Sequence, residues 1–489
     1  MAVRSSAKLP LIIQGGMGVA VSGWRLANAV SSLGQLGLVS GTALDQVMAR
    51  RLQAGDPGGH SRRALNHFPF RDMAERFWSQ YYVEGGLPEG ATYRNPPKHD
   101  KVMGRELAEP CIVSNFVEVW LAKEGHSNPV GINYLEKIQP PHLSSIYGAM
   151  LAGVDYVVMG AGIPMRIPGA LDAFVNHDAG TYPLTVVGAM EDDDTTMTFT
   201  PRDFMECDLP PLKRPMFLPI IASNVLAVAL AKKANGRVDG FVIERPTAGG
   251  HNAPPRGKLQ LNEAGEPVYG ERDIVDLSKM RALGLPFWLA GGYGQPEQLR
   301  SALSEGAAGI QVGTAFAYSV ESGMREDYKQ TILRQIAAGT ARVFTDPRGS
   351  PSGFPFKVVQ LDVTVSNEST YRDRPRICDL GYLREAYRTP DGKVDFRCGS
   401  EPVNVFLSKG GDIAETEGRK CICNALMATM GHPQARAGGK LIEAGIVTSG
   451  DDLANIKRYM PEGGTAYHAA DVIRILLGGL ESDQPEPLA

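Results

Sequence analysis

LPFWLAGGYGQPEQLRSALSEGAAGIQVGTAF, residues 285–316, is the stretch on which the fold turns. The run Pro286–Ala290 is almost continuously apolar, as a strand buried on both faces must be. A glycine pair follows it, and Pro296 then opens a stretch of helical period that ends at Ser304. Gly309–Val312 is a second short apolar run, closed by Gly313-Thr314. Strand, helix, strand in that order is a βα unit and the start of the next, the connection that parallel strands require.

The same rhythm extends back along the chain. Further strands are expected at Leu11–Gln14, Leu36–Ser40, Pro129–Asn133, Val154–Met159, Phe217–Ala222 and Val238–Glu244. Helices are expected at Gly23–Ser32, Leu143–Ala152 and Val225–Lys233. With the two strands above the set reaches eight, the number a closed barrel needs. The expected fold is therefore α/β: a (β/α)8 TIM barrel over residues 1–345, with an appended α+β domain over 346–480. Two stretches exceed a minimal barrel. Residues 45–110 are aromatic-rich and partly helical, and residues 182–214 read as an extended hairpin around the acidic turn Glu191–Asp194. The tail 481–489 has the composition of a disordered end.

Composition narrows the function. Of 489 residues, 43% are apolar and 21% charged, and the net charge is −4. Without a basic face there is no case for nucleic acid as a partner. No apolar run reaches the about 18 residues that would span a membrane, and no signal peptide is visible. The chain is expected to be cytoplasmic, with self-association into a homo-oligomer left open. Four of the six cysteines, Cys378, Cys398, Cys421 and Cys423, fall close together. Four thiolates could hold zinc or an iron–sulfur cluster, but the spacing contains no C-x2-C pair, and they are read as buried free cysteines with no metal. Cys111 and Cys207 have no evident partners in the sequence.

In a barrel the chemistry sits where the strands end. Gly15-Gly16-Met17 follow the first strand, and Asn133 ends the third. Gly249-Gly250-His251 follow the sixth, Gly291-Gly292 the seventh, and Gly313-Thr314 the eighth. Each glycine pair alone also fits an ordinary tight turn, and His251 alone fits a packing histidine. Together they match what a flat, phosphate-bearing cofactor would need. Bare N–H groups after strands seven and eight would take an anion, and glycines after strand one would let backbone press against a ring. A single phosphate site, with no G-x-G-x-x-G turn, favours a mononucleotide over a dinucleotide.

The wording and order of these motifs resemble the nitronate monooxygenase (2-nitropropane dioxygenase-like) family. The stretches are "PLIIQGGMG", "PVGINYLE", "VDGFVIERPTAGGHN" and the block quoted at the outset. The resemblance spans roughly residues 9–320. It implies an FMN-dependent monooxygenase that oxidises a small carbanion or nitronate with O2. His251 would be the catalytic base or substrate contact. Gly291, Gly292, Gly313 and Thr314 would hold the phosphate, and Gly15, Gly16, Met17 and Asn133 would line the ring, with Gly249 and Gly250 beside it. Related FMN-dependent enoyl reductases, including those of polyunsaturated fatty acid synthesis, offer an alternative in which a nicotinamide cofactor supplies hydride. A flavin-binding accessory protein is a third reading. Two departures stand out. Glu244 stands where the family's strand ends in Gln or Glu, but Arg245-Pro246-Thr247 replaces the expected "G-x-E"; a carboxylate near a flavin would disfavour a reduced, anionic ring, so Glu244 either points away or is compensated by Arg245. "HNAPPRGK" brings Arg256 and Lys258 after the histidine, which suggests an anionic or larger substrate.

Overall fold

A computed structural model describes residues 9–481; the expectation for the tail lies outside them. Eight parallel strands close into a barrel in which strand one, Ile12–Gln14, lies between strand two, Leu36–Ser40, and strand eight, Gly309–Val312. The closing register pairs Ile12 with Ile310 and Gln14 with Val312. Strands three to seven are Val130–Leu135, Tyr156–Gly160, Met216–Ile221, Phe241–Glu244 and Phe287–Ala290. All eight expected strands are present. The largest shift is in the sixth, expected from Val238 and observed from Phe241. The preceding residues form the turn, where Asp239 takes the Phe217 N–H at 2.9 Å and an ion pair from Arg214 at 2.8 Å.

Alternation along each strand separates two cores. Ile13, Leu36, Leu38, Val158, Leu218, Val242 and Trp288 fill the barrel interior. Trp288 is fully buried, and its indole N–H donates to Pro10 O at 2.8 Å, which anchors the bottom of the barrel. The outward residues, such as Ile12, Val157, Phe217 and Leu289, join a second cluster with the helices. Each such side chain contributes about 1.5–3 kcal/mol of apolar transfer. Helix Trp24–Ser32 lies so close to strand two that a Cβ at Gly37 would stand 2.1 Å from Ala27 O.

The additions wrap this barrel. Residues 45–110 supply helices Leu44–Gln53, His60–Leu65 and Arg71–Tyr81, and then 82–104, without helix or strand, lead to helix Arg105–Lys123. In the second insertion Gly180–Pro183 pairs antiparallel with Thr196–Phe199, with Glu191–Asp194 at the connection, as a hairpin should. Val186–Val187, inside that connection, pairs instead with Glu385–Arg388 of the C-terminal segment.

The C-terminal segment has mixed helices and strands, and its apolar residues, Phe356, Ile422, Val447 and Leu476 among them, belong to the same cluster as the barrel helices. Strand Phe356–Val359 pairs on one side with Val343–Asp346 and on the other with Gly250–His251, in the loop after barrel strand six. The expected boundary at 345/346 falls inside Val343–Asp346. Among the described residues no helix is long and apolar enough to cross a membrane.

Candidate functional site

The strand ends open into one cavity of about 1270 Å³, counted out to bulk solvent. Gly15, Gly16, Met17, Asn133, Gly249, Gly250, His251, Gly291, Gly292, Gly313 and Thr314 all line it. Residues far apart in sequence are thus brought together by barrel closure.

At one end, backbone donors converge. Gly291 and Gly292 have φ of +88° and +76°, which glycine adopts freely and other residues rarely do. Their N–H groups, and those of Gly313 and Thr314, have no partner among the described residues. Thr247 Oγ1 and Ser449 Oγ are buried and unpartnered on the same wall. Unpaired buried polar groups are costly, so this wall suits a bound group that accepts several hydrogen bonds, as a phosphate does. The Thr314 hydroxyl accepts the Gly450 N–H at 3.0 Å, so the C-terminal segment braces this end. Asp452 also lines it, with Oδ1 engaged by Asn455 at 2.8 Å. Among the described residues no lysine or arginine lines the cavity, so an anion here would be held by dipoles.

Next to this wall, with Met17 beside Gly313, the surface suits a flat ring. A Cβ on Gly16 would lie 2.4 Å from Asn133 Cβ, so the first turn presses against the third strand. Asn133 Nδ2 is held by Val158 O at 3.1 Å, which leaves its position fixed. Gln311 projects from strand eight into the same space, its Oε1 buried and unpartnered.

His251 sits on a two-residue strand rather than on a free loop, paired with Phe356. Its Nε2 is 2.7 Å from Ser350 Oγ, which is in turn 2.7 Å from Ser352 Oγ. Phe356 covers one side of the ring, with centroids 4.6 Å apart. Surrounding protein desolvates the imidazole and lowers its pKa from 6.5 to about 4, so it is neutral at neutral pH.

Glu244 lines the cavity too, and neither expected arrangement holds. It does not point away, and Arg245 does not compensate it; the Arg245 guanidinium lies over the Tyr293 ring, 4.8 Å from its centroid. Burial instead raises the Glu244 pKa from 4.5 to about 8, which keeps the carboxyl protonated at neutral pH. Arg256 is turned to Ala222 O at 2.9 Å and lines a separate small cavity, and Lys258 is exposed. The anionic substrate that these two residues suggested therefore loses its geometric basis.

Sequence reading missed Ser350, Phe356, Thr448, Ser449 and Asp452, all from the C-terminal segment, and Leu426 beside them. No motif flags them, since they reach the cavity only through tertiary packing. Gln311 had a visible signal: it occupies a polar position in an otherwise apolar strand.

The structure is a (β/α)8 barrel whose strand ends share one cavity, lined by unpartnered N–H groups after strands seven and eight and by a neutral histidine. Comparison with known proteins agrees with that class. Residues 213–372 match the family model for nitronate monooxygenase, and the chain is similar to that family. The matched stretch contains His251 and all four residues of the cradle. Nitronate monooxygenase of Pseudomonas aeruginosa is 29% identical over 177 residues, 36% of this chain and 48% of that protein. A hydroxy-methyl-oxo-octahydroindene-carboxyl-CoA dehydrogenase of Mycobacterium tuberculosis is 28% identical over 155 residues, 32% of this chain and 39% of that one. The chain thus spans less than half the length of these curated relatives. Among solved structures, FabK from Thermotoga maritima aligns over 97% of this chain and 93% of its own, with 15% identity and a TM-score of 0.49.

Proposed function

We propose that this chain is an FMN-dependent oxidoreductase of the nitronate monooxygenase type, which takes a small carbon acid or its anion and uses O2 as the final electron acceptor. The observation that carries this reading is a neutral, desolvated histidine lining the same cavity as a set of unpartnered N–H groups. FMN, when bound, supplies a two-electron acceptor that O2 regenerates. Gly291, Gly292, Gly313 and Thr314 would grip its phosphate, helped by the Thr247 and Ser449 hydroxyls. Gly15, Gly16, Met17, Asn133 and Gln311 would bed its ring, with Gly249 and Gly250 beside it.

The proton chemistry belongs to His251. With Nε2–H donating to Ser350 Oγ, the lone pair stays on Nδ1, which is not among the buried unpartnered atoms and is open to the cavity. Nδ1 then accepts the proton from the carbon next to the activating group, and the substrate anion formed beside it offsets the new imidazolium charge. Glu244, protonated, adds no negative charge to this wall. The test is the pigment and its reaction. The purified full chain should release FMN, and a nitronate should be oxidised with consumption of O2. Release of FAD, or no flavin after reconstitution, overturns the cofactor assignment.

The relative that dehydrogenates an acyl-CoA favours a second reading, in which the same site acts beside a thioester and a nicotinamide cofactor exchanges hydride. Anaerobic NADH or NADPH would bleach the flavin rapidly in that case and not in the first.

A further inference from the structure

A second group of unsatisfied polar atoms lies away from the barrel mouth. Asp45 stands in the first turn of helix Leu44–Gln53, His99 in the irregular stretch 82–104, and Cys111 on helix Arg105–Lys123. Three parts of one insertion thus converge on one point. The residues are 3%, 5% and 1% exposed. Asp45 Oδ2 and both ring nitrogens of His99 are buried without a hydrogen-bond partner. His99 Nε2 is 3.2 Å from Asp45 Oδ2, an ion-pair contact whose geometry falls short of a full hydrogen bond. One donor atom from each residue, nitrogen, oxygen and sulfur, lies within 4.8 Å of the other two. Water does not reach these atoms, and leaving them unpaired costs free energy that a packed interior rarely tolerates.

We propose that Asp45, His99 and Cys111 bind one zinc-class divalent ion. The donor set selects the ion: a thiolate and an imidazole suit zinc and disfavour magnesium or calcium, which want oxygen. With bonds of about 2.0–2.3 Å, tetrahedral donors stand about 3.3–3.8 Å apart. The Asp45–His99 separation is already near this, so the thiol needs to close by at most about 1.5 Å. The other carboxylate oxygen, Oδ1, accepts the Tyr382 hydroxyl at 2.5 Å, the outer support that metal-bound carboxylates commonly have. The role is structural: the ion ties the irregular arm of the insertion to two helices and, through Tyr382, to the C-terminal segment. The four later cysteines take no part, although the sequence draws attention to them first.

The full chain is equilibrated with zinc, freed of loose ion by gel filtration and analysed for metal. About one zinc per chain is expected in the parent and in Cys421→Ser, falling to below about 0.1 in Cys111→Ala and His99→Gln. Cobalt in the parent should give the near-ultraviolet thiolate-to-cobalt charge-transfer band, so the proposal stays testable even if a variant fails to fold. No uptake by the parent, cobalt bound without that band, or zinc retained in folded Cys111→Ala and lost from Cys421→Ser would each overturn it.

Discussion

His251 and Gly313 face the same cavity, but different things hold them there. Gly313 follows barrel strand eight directly, and its position is set by the strand and by the short helix Thr314–Ala317 that begins after it. His251 is fixed by Ser350, 99 residues further along, and by pairing with Phe356. The N–H groups at Gly313 are set by the strand end, with Gly450 of the distant segment packed against them, whereas the orientation of His251 depends on that segment altogether. An anion cradle needs only N–H groups that point together, which a strand end supplies. A base needs one tautomer and one ring orientation, which require a partner for the second nitrogen. The proposed division is that the local end binds and the assembled end reacts.

That division is most directly broken at His251. His251→Asn should lower turnover of a neutral nitroalkane by about 10²–10⁴-fold, the usual worth of a general base. Turnover of the preformed nitronate should change far less, and flavin content should stay at the parent level. Equal losses on both substrates would end the base role, and loss of flavin would join the two ends into one.

Gly313→Val examines the other end. Gly313 has φ of −106°, and an added Cβ would meet only Met17, at 3.5 Å, so the fold should tolerate it. A branched side chain there should crowd the phosphate and cost one or two charge-assisted hydrogen bonds, each worth about 1.5–3 kcal/mol. Flavin affinity should fall by about 10-fold or more, measured by fluorescence titration. Unchanged affinity would move the phosphate elsewhere.

Ser350→Ala sharpens the comparison because it touches only the distant support. Losing one hydrogen bond should cost about 0.5–1.5 kcal/mol, or about 2–10-fold in nitroalkane turnover. Nitronate turnover and flavin content should be unaffected, and Ser350→Thr should restore part of the rate. A merely structural role would lower all of these together.

The smallest effect is expected at Glu244. The folded chain holds its proton up to about pH 8, above the ordinary 4.5, so its contribution to stability declines as pH rises from 4.5 to about 8. Above that the carboxylate charge faces the cavity. Flavin affinity of the parent should therefore weaken as pH passes about 8, while Glu244→Gln should give a flat profile over the same range. A parent profile already flat there would show that Glu244 carries no charge change.

Much of the barrel was legible because its strands are buried on both faces, which makes them short continuous apolar runs. "FWLAGG" and "YVVMG" could hardly be solvent-facing. The glycines and His251 were legible for a related reason: in this fold strand ends meet, so residues following strands one, three, six, seven and eight share a space whatever their separation in the chain. The basic pair after the histidine misled, since a side chain's direction is not written in its spacing. Arg256 is drawn to a carbonyl, away from the cavity.

By itself, then, the sequence determined the barrel, the order of its strands and the residues at their ends, because burial on both faces and βα connectivity constrain composition locally. Only the tertiary structure decided how the C-terminal segment enters the site, that Ser350 supports His251, and that Glu244 is kept neutral. It alone also brought Asp45, His99 and Cys111 to one point. Each of these depends on desolvation or on contact between segments far apart in the chain, and neither leaves a periodic signal in the order of residues.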